Sequence, residues 1–390
     1  MFRIRTFNRI AERGLSRFPE ASYQVEPGLE QPDAMLLRSH KLQNDSVDDS
    51  VLAVARAGAG TNNIPIAELT HRGIVVFNTP GANANAVKEL VAAGLFLSSR
   101  NILGGMNFVQ GLGELNDPVE MARLLEAEKK RFAGTEVAGK TLGVIGLGAI
   151  GSLVANMAIE LGMQVAGFDP AISVEAAWRL SSRVEKVDSL DALLAVSDFV
   201  SLHVPAIEQT HHLINENSLT KLKPGARLLN FAREEIVDTT AVVAALEQQQ
   251  LSRYVTDFPV PSLLGREDVL LLPHIGASTR EAEENCSVMA ADQLMDFLSH
   301  GNIINSVNFP MTRMAREGGY RITFSNDNVP RVLGGVLSVL ADHNINVLDM
   351  VNKSRGDVAY NIIDVESEPG PGIIEAIGRA EGVLRVRAIA

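Results

Sequence analysis

Short apolar runs alternate with amphipathic stretches along most of this chain, and their spacing sets out its elements. Within residues 1–80, FRIRTF, AMLLRS, VLAVARAG and GIVVFN are apolar or alternating runs of strand length. IAERGLSRF and IPIAELTHR lie among them, which predicts a small parallel sheet with helical crossovers. A helix rich in small residues is predicted over 84–104, and another over 117–131, opened by Asp117-Pro118. From 141 the alternation resumes. TLGVIG, a small-residue helix and MQVAGFDP come first, then SLDALLAVSDFVSLHVP, LLNFAR, TTAVVAALEQQQ, YVTDF and VLLLPH. Strands and helices in that order build a doubly wound sheet. REAEENCSVMAADQLMDFLS (280–299) is an amphipathic helix expected to return to the first unit. The last stretch runs strand, helix, hairpin turning at Arg355-Gly356-Asp357, helix, strand, the βαββαβ order of a ferredoxin-like module.

The fold class is therefore α/β, a doubly wound Rossmann domain inserted in a second parallel α/β domain, followed by the small terminal module. The expected divisions are 1–96 with 280–302, then 97–279, a linker at 303–318 carrying Pro310 and Gly318, and 319–390.

The strongest local chemistry sits where TLGVI ends in Gly146-Leu147-Gly148-Ala149-Ile150-Gly151. Gly146 permits the tight turn, Gly148 lets backbone approach a pyrophosphate, and Gly151 lets the helix lie close on the strand. The helix N-terminus offers N–H groups to phosphate oxygens. Asp169 closes the next apolar run, where a carboxylate accepts both ribose hydroxyls and repels a 2′-phosphate, so NAD is the expected cofactor. The stretch Gly134 to Thr141 also fits the P-loop pattern. A strand rather than a helix is predicted after it, so the match is read as chance.

Charge and composition narrow the class further. The 390 residues carry a formal net charge of −12 without a long basic run, which argues against nucleic acid as a partner. In so negative a chain, individual arginines near a binding site become informative. The single cysteine, Cys286, excludes an intrachain disulfide and fits a reducing compartment. MFRIRTFNRI lacks the apolar core of a signal peptide and no stretch approaches a membrane span, so a cytoplasmic location is expected.

Two further residues follow apolar strands. Arg233 stands after LLNFA, where a guanidinium can clamp a carboxylate or polarise a carbonyl, and His274 stands between Pro273 and Ile275-Gly276. Doubly wound sheets bind ligands at the carboxyl ends of their strands, and imidazole suits proton transfer near neutral pH. Taken alone, Arg233 reads as a surface salt bridge and His274 as a hydrogen-bonded core-edge residue. Their setting behind a dinucleotide turn favours catalysis. Adjacent His211 and His212 are expected to point apart, and no metal site is expected. His203 either lines the cofactor groove or packs beneath it.

With RAGAGTNNI at 56–64, VVFNTPGANANAVKEL at 75–90, GLGAIG, HVP, NFAR, VTDF and PHIGAST in view, the chain resembles the D-isomer-specific 2-hydroxyacid dehydrogenases over nearly its whole length. The resemblance implies a flavodoxin-like substrate domain and a C-terminal ACT domain. It further implies His274 as acid/base, Arg233 on the substrate carboxylate and carbonyl, and Asp257 on the nicotinamide carboxamide. Ala149, Ile150, Asp169, Val204, Pro205, Phe231, Ala232, Gly276 and Ala277 fall on cofactor-contact positions. Arg38, Ser39, Arg56, Gly58 and Asn83 fall on substrate positions. For Arg38 and Arg56 the alternative is solvation at a strand end. The implied reaction is NAD-dependent oxidation of 3-phosphoglycerate to 3-phosphohydroxypyruvate, the first step of L-serine biosynthesis. Another 2-hydroxyacid dehydrogenation, or NAD sensing without catalysis, are the alternatives.

The chain departs from the family pattern where a glutamate partner for the histidine is usual. Phe258-Pro259-Val260-Pro261-Ser262 holds no carboxylate, so either Glu267 substitutes from a shifted loop or His274 works unpaired. In the ACT module Asn326, Asn328 and Asn346 match amino-acid effector positions. Arg331 stands where a glycine is usual, which leaves a purely dimerising module as the other reading. A homodimer or homotetramer is expected, with Lys129, Lys130 and Arg131 either reaching a neighbouring subunit or solvating a helix end.

Overall fold

The computed structural model describes residues 1–316 and 318–389. Glu317, in the expected linker, and Ala390, at the end of the expected terminal module, lie outside the described residues. Among the described residues the strands form three sheets. The chain divides into two compact units, 1–83 with 280–390 and 84–279.

The first unit opens with β1 (Phe2–Thr6), β2 (Tyr23–Glu26), β3 (Ala34–Leu37), β4 (Ala53–Arg56) and β5 (Val75–Phe77). They lie in the order β2-β1-β3-β4-β5, all parallel, which is the flavodoxin-like order. Both faces of β3 to β5 are covered, so these strands read as unbroken apolar runs. On one side the helix Arg280–His300 lays Ala290, Leu294, Phe297 and Leu298 against Ile4, Leu36, Ala55 and Phe77.

The second unit holds β6 (Thr141–Ile145), β7 (Gln164–Phe168), β8 (Val184–Lys186), β9 (Phe199–Leu202), β10 (Ala226–Asn230), β11 (Leu251–Thr256) and β12 (Val269–Leu271). Their order is β12-β11-β10-β9-β6-β7-β8 with every pairing parallel, so strand order reverses between β6 and β9. The helix Ala84–Ser99 belongs to this unit because Val87, Val91 and Leu95 pack with Val144, Leu229 and Phe231. That corrects the expected cut at 96/97, since a helix goes with the core it buries its apolar face in. It ends at Ser99 rather than 104. Asn101 then caps a new helix, Ile102–Gln110, with its Oδ1 accepting from Gly104 N at 3.1 Å.

The third sheet comprises β13 (Tyr320–Asp327), β14 (Val347–Arg355), β15 (Val358–Val365) and β16 (Val383–Ile389), antiparallel in the order β14-β15-β13-β16. Helices Val332–Asp342 and Pro371–Gly378 cover one face. The other face supplies Tyr360 and Ile362 to the core of the first unit, beside Phe297 and Phe309. The module is thus part of the first unit rather than a lobe on a loose linker. Arg321, on β13, is fully buried and holds Asp364 with Nε and Nη2 at 2.7 and 2.8 Å. Its remaining donors reach the carbonyls of His300, Met314 and Ala315. All five guanidinium N–H groups therefore have acceptors. The connecting segment is pinned as well, because Asn308 pairs with Val76 N and Ile74 O, and Phe309 is wholly buried.

Candidate active site

In the second unit the dinucleotide turn follows β6 directly. Gly146 has φ +88°, and a side chain there would meet the His203 carbonyl at 2.7 Å. A Cβ on Gly151 would lie 1.8 Å from Gly146 O, so the helix Ala149–Glu160 can sit this close only on a glycine. Around Gly148 a Cβ would meet nothing within 4 Å, which leaves the helix N-terminus open to a phosphate-sized group. Asp169 is fixed by Leu147 N on Oδ2 at 2.8 Å and by Ala171 N on Oδ1 at 2.9 Å. Each oxygen keeps a lone pair for a ribose hydroxyl. These features fit NAD, with Ala149, Ile150 and Gly151 in the first helical turn and Val204 and Pro205 just past the end of β9.

His203 packs beneath this turn, its Cβ 3.3 Å from where a Gly151 side chain would be and its Nε2 paired with Ser201 Oγ at 2.8 Å. Burial pushes its pKa down to about 3, so it is neutral and structural at physiological pH. His211 and His212 stack with ring centroids 4.1 Å apart instead of pointing apart. His212 has φ +48°, so the alternation expected of a regular element does not apply.

Three consecutive strands carry the candidate catalytic residues at their ends. Arg233 stands just past β10, Asp257 directly after β11 and His274 just past β12, all at carboxyl ends. With strands about 4.8 Å apart, the outer two of the three are roughly 10 Å apart. Asp257 is 1% exposed, and its two oxygens accept from Ile275 N at 2.8 Å and Gly276 N at 2.6 Å. The loop after His274 is thereby tied to β11. A Cβ at Gly276 would stand 3.0 Å from Asp257 Oδ2, so this grip requires glycine or movement, and Ala277 follows in the same turn. His274 itself has φ +55°, a left-handed backbone that costs energy in a non-glycine residue, and its exposed ring meets Phe258 edge-on at 5.0 Å.

Asn230, which the sequence reading passed over, shapes the Arg233 loop. Fully buried, it accepts from Ala232 N at 3.1 Å and donates to Arg233 O at 2.8 Å. A lone polar residue ending the apolar strand ARLLN was the available signal. Phe231 is buried and the Arg233 side chain is exposed. Glu267 is not brought to His274. It precedes β12, with its carbonyl on Arg253 Nη1, whereas His274 lies beyond the other end of the strand. Among the described residues of the second unit no carboxylate is paired with the imidazole. The P-loop-like stretch leads straight into β6, as its chance reading requires.

In the first unit Arg38 and Ser39 follow β3, Arg56 ends β4, Gly58 follows it, and Asn83 lies in the turn after β5. Arg56 Nε donates to Arg38 O at 3.1 Å, and a Cβ at Gly58 would meet Arg56 Nη1 at 2.3 Å, so the guanidinium lies across the glycine. Arg38 Nη2 is 2.7 Å from Glu283 Oε1, a partner the sequence did not suggest.

In the terminal module Asn326 is buried in an amide ladder. Asn352 donates to Asn361, Asn361 donates to Asn326, and Asn326 donates to Asp327 O. Asn328, bonded to Gly356 O, and Asn346 are exposed. Arg331 adopts φ +82° at the start of its helix.

A doubly wound nucleotide-binding sheet with an arginine and a histidine at its carboxyl edge defines a dinucleotide-dependent dehydrogenase. The family model for the D-isomer-specific 2-hydroxyacid dehydrogenase NAD-binding domain matches residues 105–276. The D-3-phosphoglycerate dehydrogenase of Haemophilus influenzae is 32% identical over 87% of this chain and 81% of its own length. That of Escherichia coli K12 is 30% identical over 87% and 82%. Among solved structures, the NAD+-bound 3-phosphoglycerate dehydrogenase of Entamoeba histolytica superposes with a TM-score of 0.60 at 26% identity. The match covers 79% of this chain and 98% of that one. The chain belongs to the D-isomer-specific 2-hydroxyacid dehydrogenase family and carries its NAD-binding domain.

Proposed function

We propose that this protein oxidises D-3-phosphoglycerate to 3-phosphohydroxypyruvate with NAD, the first step of L-serine biosynthesis. The observation that carries this reading is the alignment of Arg233, Asp257 and His274 on consecutive strand ends of a sheet that also bears the dinucleotide turn. Bound NAD supplies the hydride acceptor. His274 takes the proton of the substrate hydroxyl, and Arg233 holds the carboxylate and stabilises the developing carbonyl dipole. Asp257 positions the histidine loop through two backbone N–H groups. In the first unit, taken by itself, Arg38 and Arg56 are the candidates for an anionic group of the substrate, with Ser39, Gly58 and Asn83 as neighbours in sequence and turn.

Asp169 supports NAD over NADP, because a 2′-phosphate would face its fixed carboxylate. The exposed Leu103, Met106, Val109 and Val119 support a second copy of the chain as partner, in a homodimer or homotetramer. The one cysteine, buried and unpaired, supports a cytoplasmic setting. Among the described residues no helix is long and apolar enough to cross a membrane. An amino-acid effector at the terminal module has Asn328 and Asn346 as its exposed candidates.

NADH formation with D-3-phosphoglycerate, D-glycerate and D-lactate tests the reading. The phosphorylated substrate is expected to give the highest kcat/KM. His274→Asn is expected to lower kcat by about 10²- to 10⁴-fold while NAD still binds. Tight NAD binding with no turnover on any of the three would favour a sensor instead.

A further inference from the structure

The arginine pair of the first unit, Arg38 and Arg56, carries a built-in competitor for anions. Arg38 Nη2 meets Glu283 Oε1 at 2.7 Å, with the two side chains 41% and 43% exposed. Glu283 lies in the first turn of the helix Arg280–His300, where the helix dipole favours a carboxylate. Arg56 is bound to the same spot through its Nε on Arg38 O. The fields of Arg56, Arg38 and Glu283 all reach the Cys286 thiol, further along the same helix, so the three charges occupy one small region. Two guanidiniums alone would offer two positive charges, a match for a doubly ionised phosphoryl group. Glu283 offsets the positive charge of Arg38, which makes that side chain a poorer match for a doubly ionised phosphoryl group than for a singly charged one.

We propose that Glu283 is a specificity-determining residue that acts through Arg38. It occupies one face of the guanidinium and discriminates against doubly charged anionic groups relative to singly charged or neutral ones. The proposal rests on the reading that Arg38 and Arg56 bind the substrate's anionic group. Glu283 touches neither substrate nor cofactor in this scheme. Its effect belongs in KM and in charge preference, and not in the proton transfer at His274.

Initial rates of the full-length protein at saturating NAD, on D-3-phosphoglycerate and on D-glycerate, provide the test. The forms compared are wild type, Glu283→Gln, Arg38→Gln and the double variant. Glu283→Gln is expected to lower the KM for 3-phosphoglycerate by about three- to fivefold, the size of a partly exposed ion pair. The KM for D-glycerate is expected to move by less than about twofold, since its neutral end feels little of the charge change. Raising salt from about 0.05 M to about 0.5 M should shrink the difference, because exposed charges are screened over that range. In the Arg38→Gln background Glu283→Gln is expected to change the KM for 3-phosphoglycerate by less than it does in the wild type, because the ion pair through which it acts is already gone. If Arg38→Gln raises the KM for 3-phosphoglycerate but Glu283→Gln leaves the preference between the two substrates unchanged, the role of Glu283 is overturned and the anion reading survives. If Arg38→Gln alters neither KM, the anion reading fails and takes this proposal with it. Unchanged NAD affinity and melting temperature in each variant exclude misfolding as the cause.

Discussion

His203 illustrates how a single side chain can be read two ways until its surroundings are known. Beneath the dinucleotide turn its pKa falls from about 6.5 to about 3, because burial disfavours the imidazolium. Its folded-state pKa is below the unfolded one, so the neutral ring contributes stability above pH 6.5, and that contribution is lost as pH falls. Between pH 6.5 and 5 the loss is about 2 kcal/mol. Urea midpoints of the second unit at pH 7 and pH 5 should therefore converge in His203→Asn relative to wild type; an equal drop in both would exclude the histidine as the cause. Arg331 is strained in a different sense, holding φ +82° with an exposed side chain. Arg331→Gly is expected to raise stability by about 1 kcal/mol, since glycine adopts this backbone without the Cβ penalty. A lowered melting temperature would show that the arginine makes a contact worth more than its strain. At this scale the glycines and Asp169 were legible because the turn admits few residue types. Glu283 was not, because its partner Arg38 comes from a distant element that no local pattern specifies; Asn230, bonded within its own loop, left only the polar end of ARLLN as a signal.

At the scale of elements, the closeness of the helix Ala149–Glu160 to its turn is the most exposed to a one-atom change. Gly151→Ala places a methyl 1.8 Å from the Gly146 carbonyl, so the helix must move and carry its N-terminal N–H groups with it. The NAD dissociation constant, measured by calorimetric titration, should rise at least about tenfold. Unaltered affinity would mean the phosphates are held elsewhere. The Arg321–Asp364 pair holds the third sheet to the first unit from a fully buried position. Asp364→Ala leaves the guanidinium charged and half satisfied, at an expected cost of about 3–5 kcal/mol. Arg321→Met with Asp364→Leu removes both charges and should cost far less, a contrast readable from chemical denaturation. Strands β2 and β8, absent from the sequence reading, are both sheet edges with half-exposed residues and no apolar run. The interior strands were legible because burial on both faces leaves an unbroken apolar signal.

For the molecule as a whole, the terminal module matters most to how the chain behaves. Tyr360 and Ile362 sit in the same core as Phe297 and Phe309, and Tyr360 donates to Gly301 O at 2.8 Å. Arg387 lies over the Phe297 ring at 4.3 Å and donates to the carbonyls of Phe297 and Leu298. A module so embedded should not come away as a separate domain. Limited proteolysis of the folded protein is expected to release no stable fragment beginning between 301 and 319. Recovery of a folded fragment of that kind would instead favour a loosely tethered regulatory domain.

The sequence by itself determined the α/β class and most of the strands through its hydrophobic pattern, and the dinucleotide turn, its preference for NAD and the candidacy of Arg233 and His274 through the glycines, Asp169 and the polar residues at strand ends. Each of these depends on local periodicity or on a turn that only a few residues can make. Only tertiary structure decided that the helix Ala84–Ser99 joins the second unit and that the terminal sheet is built into the first. It also decided that Glu267 lies at the wrong end of its strand to serve His274, and that Glu283 occupies Arg38. These facts depend on which surfaces meet and which strand end a residue reaches. Contacts between residues as far apart as 38 and 283 leave no periodic trace in the chain that makes them. The turn at Gly146–Gly151 could be read directly. The carboxylate placed on Arg38 could be read only from the fold.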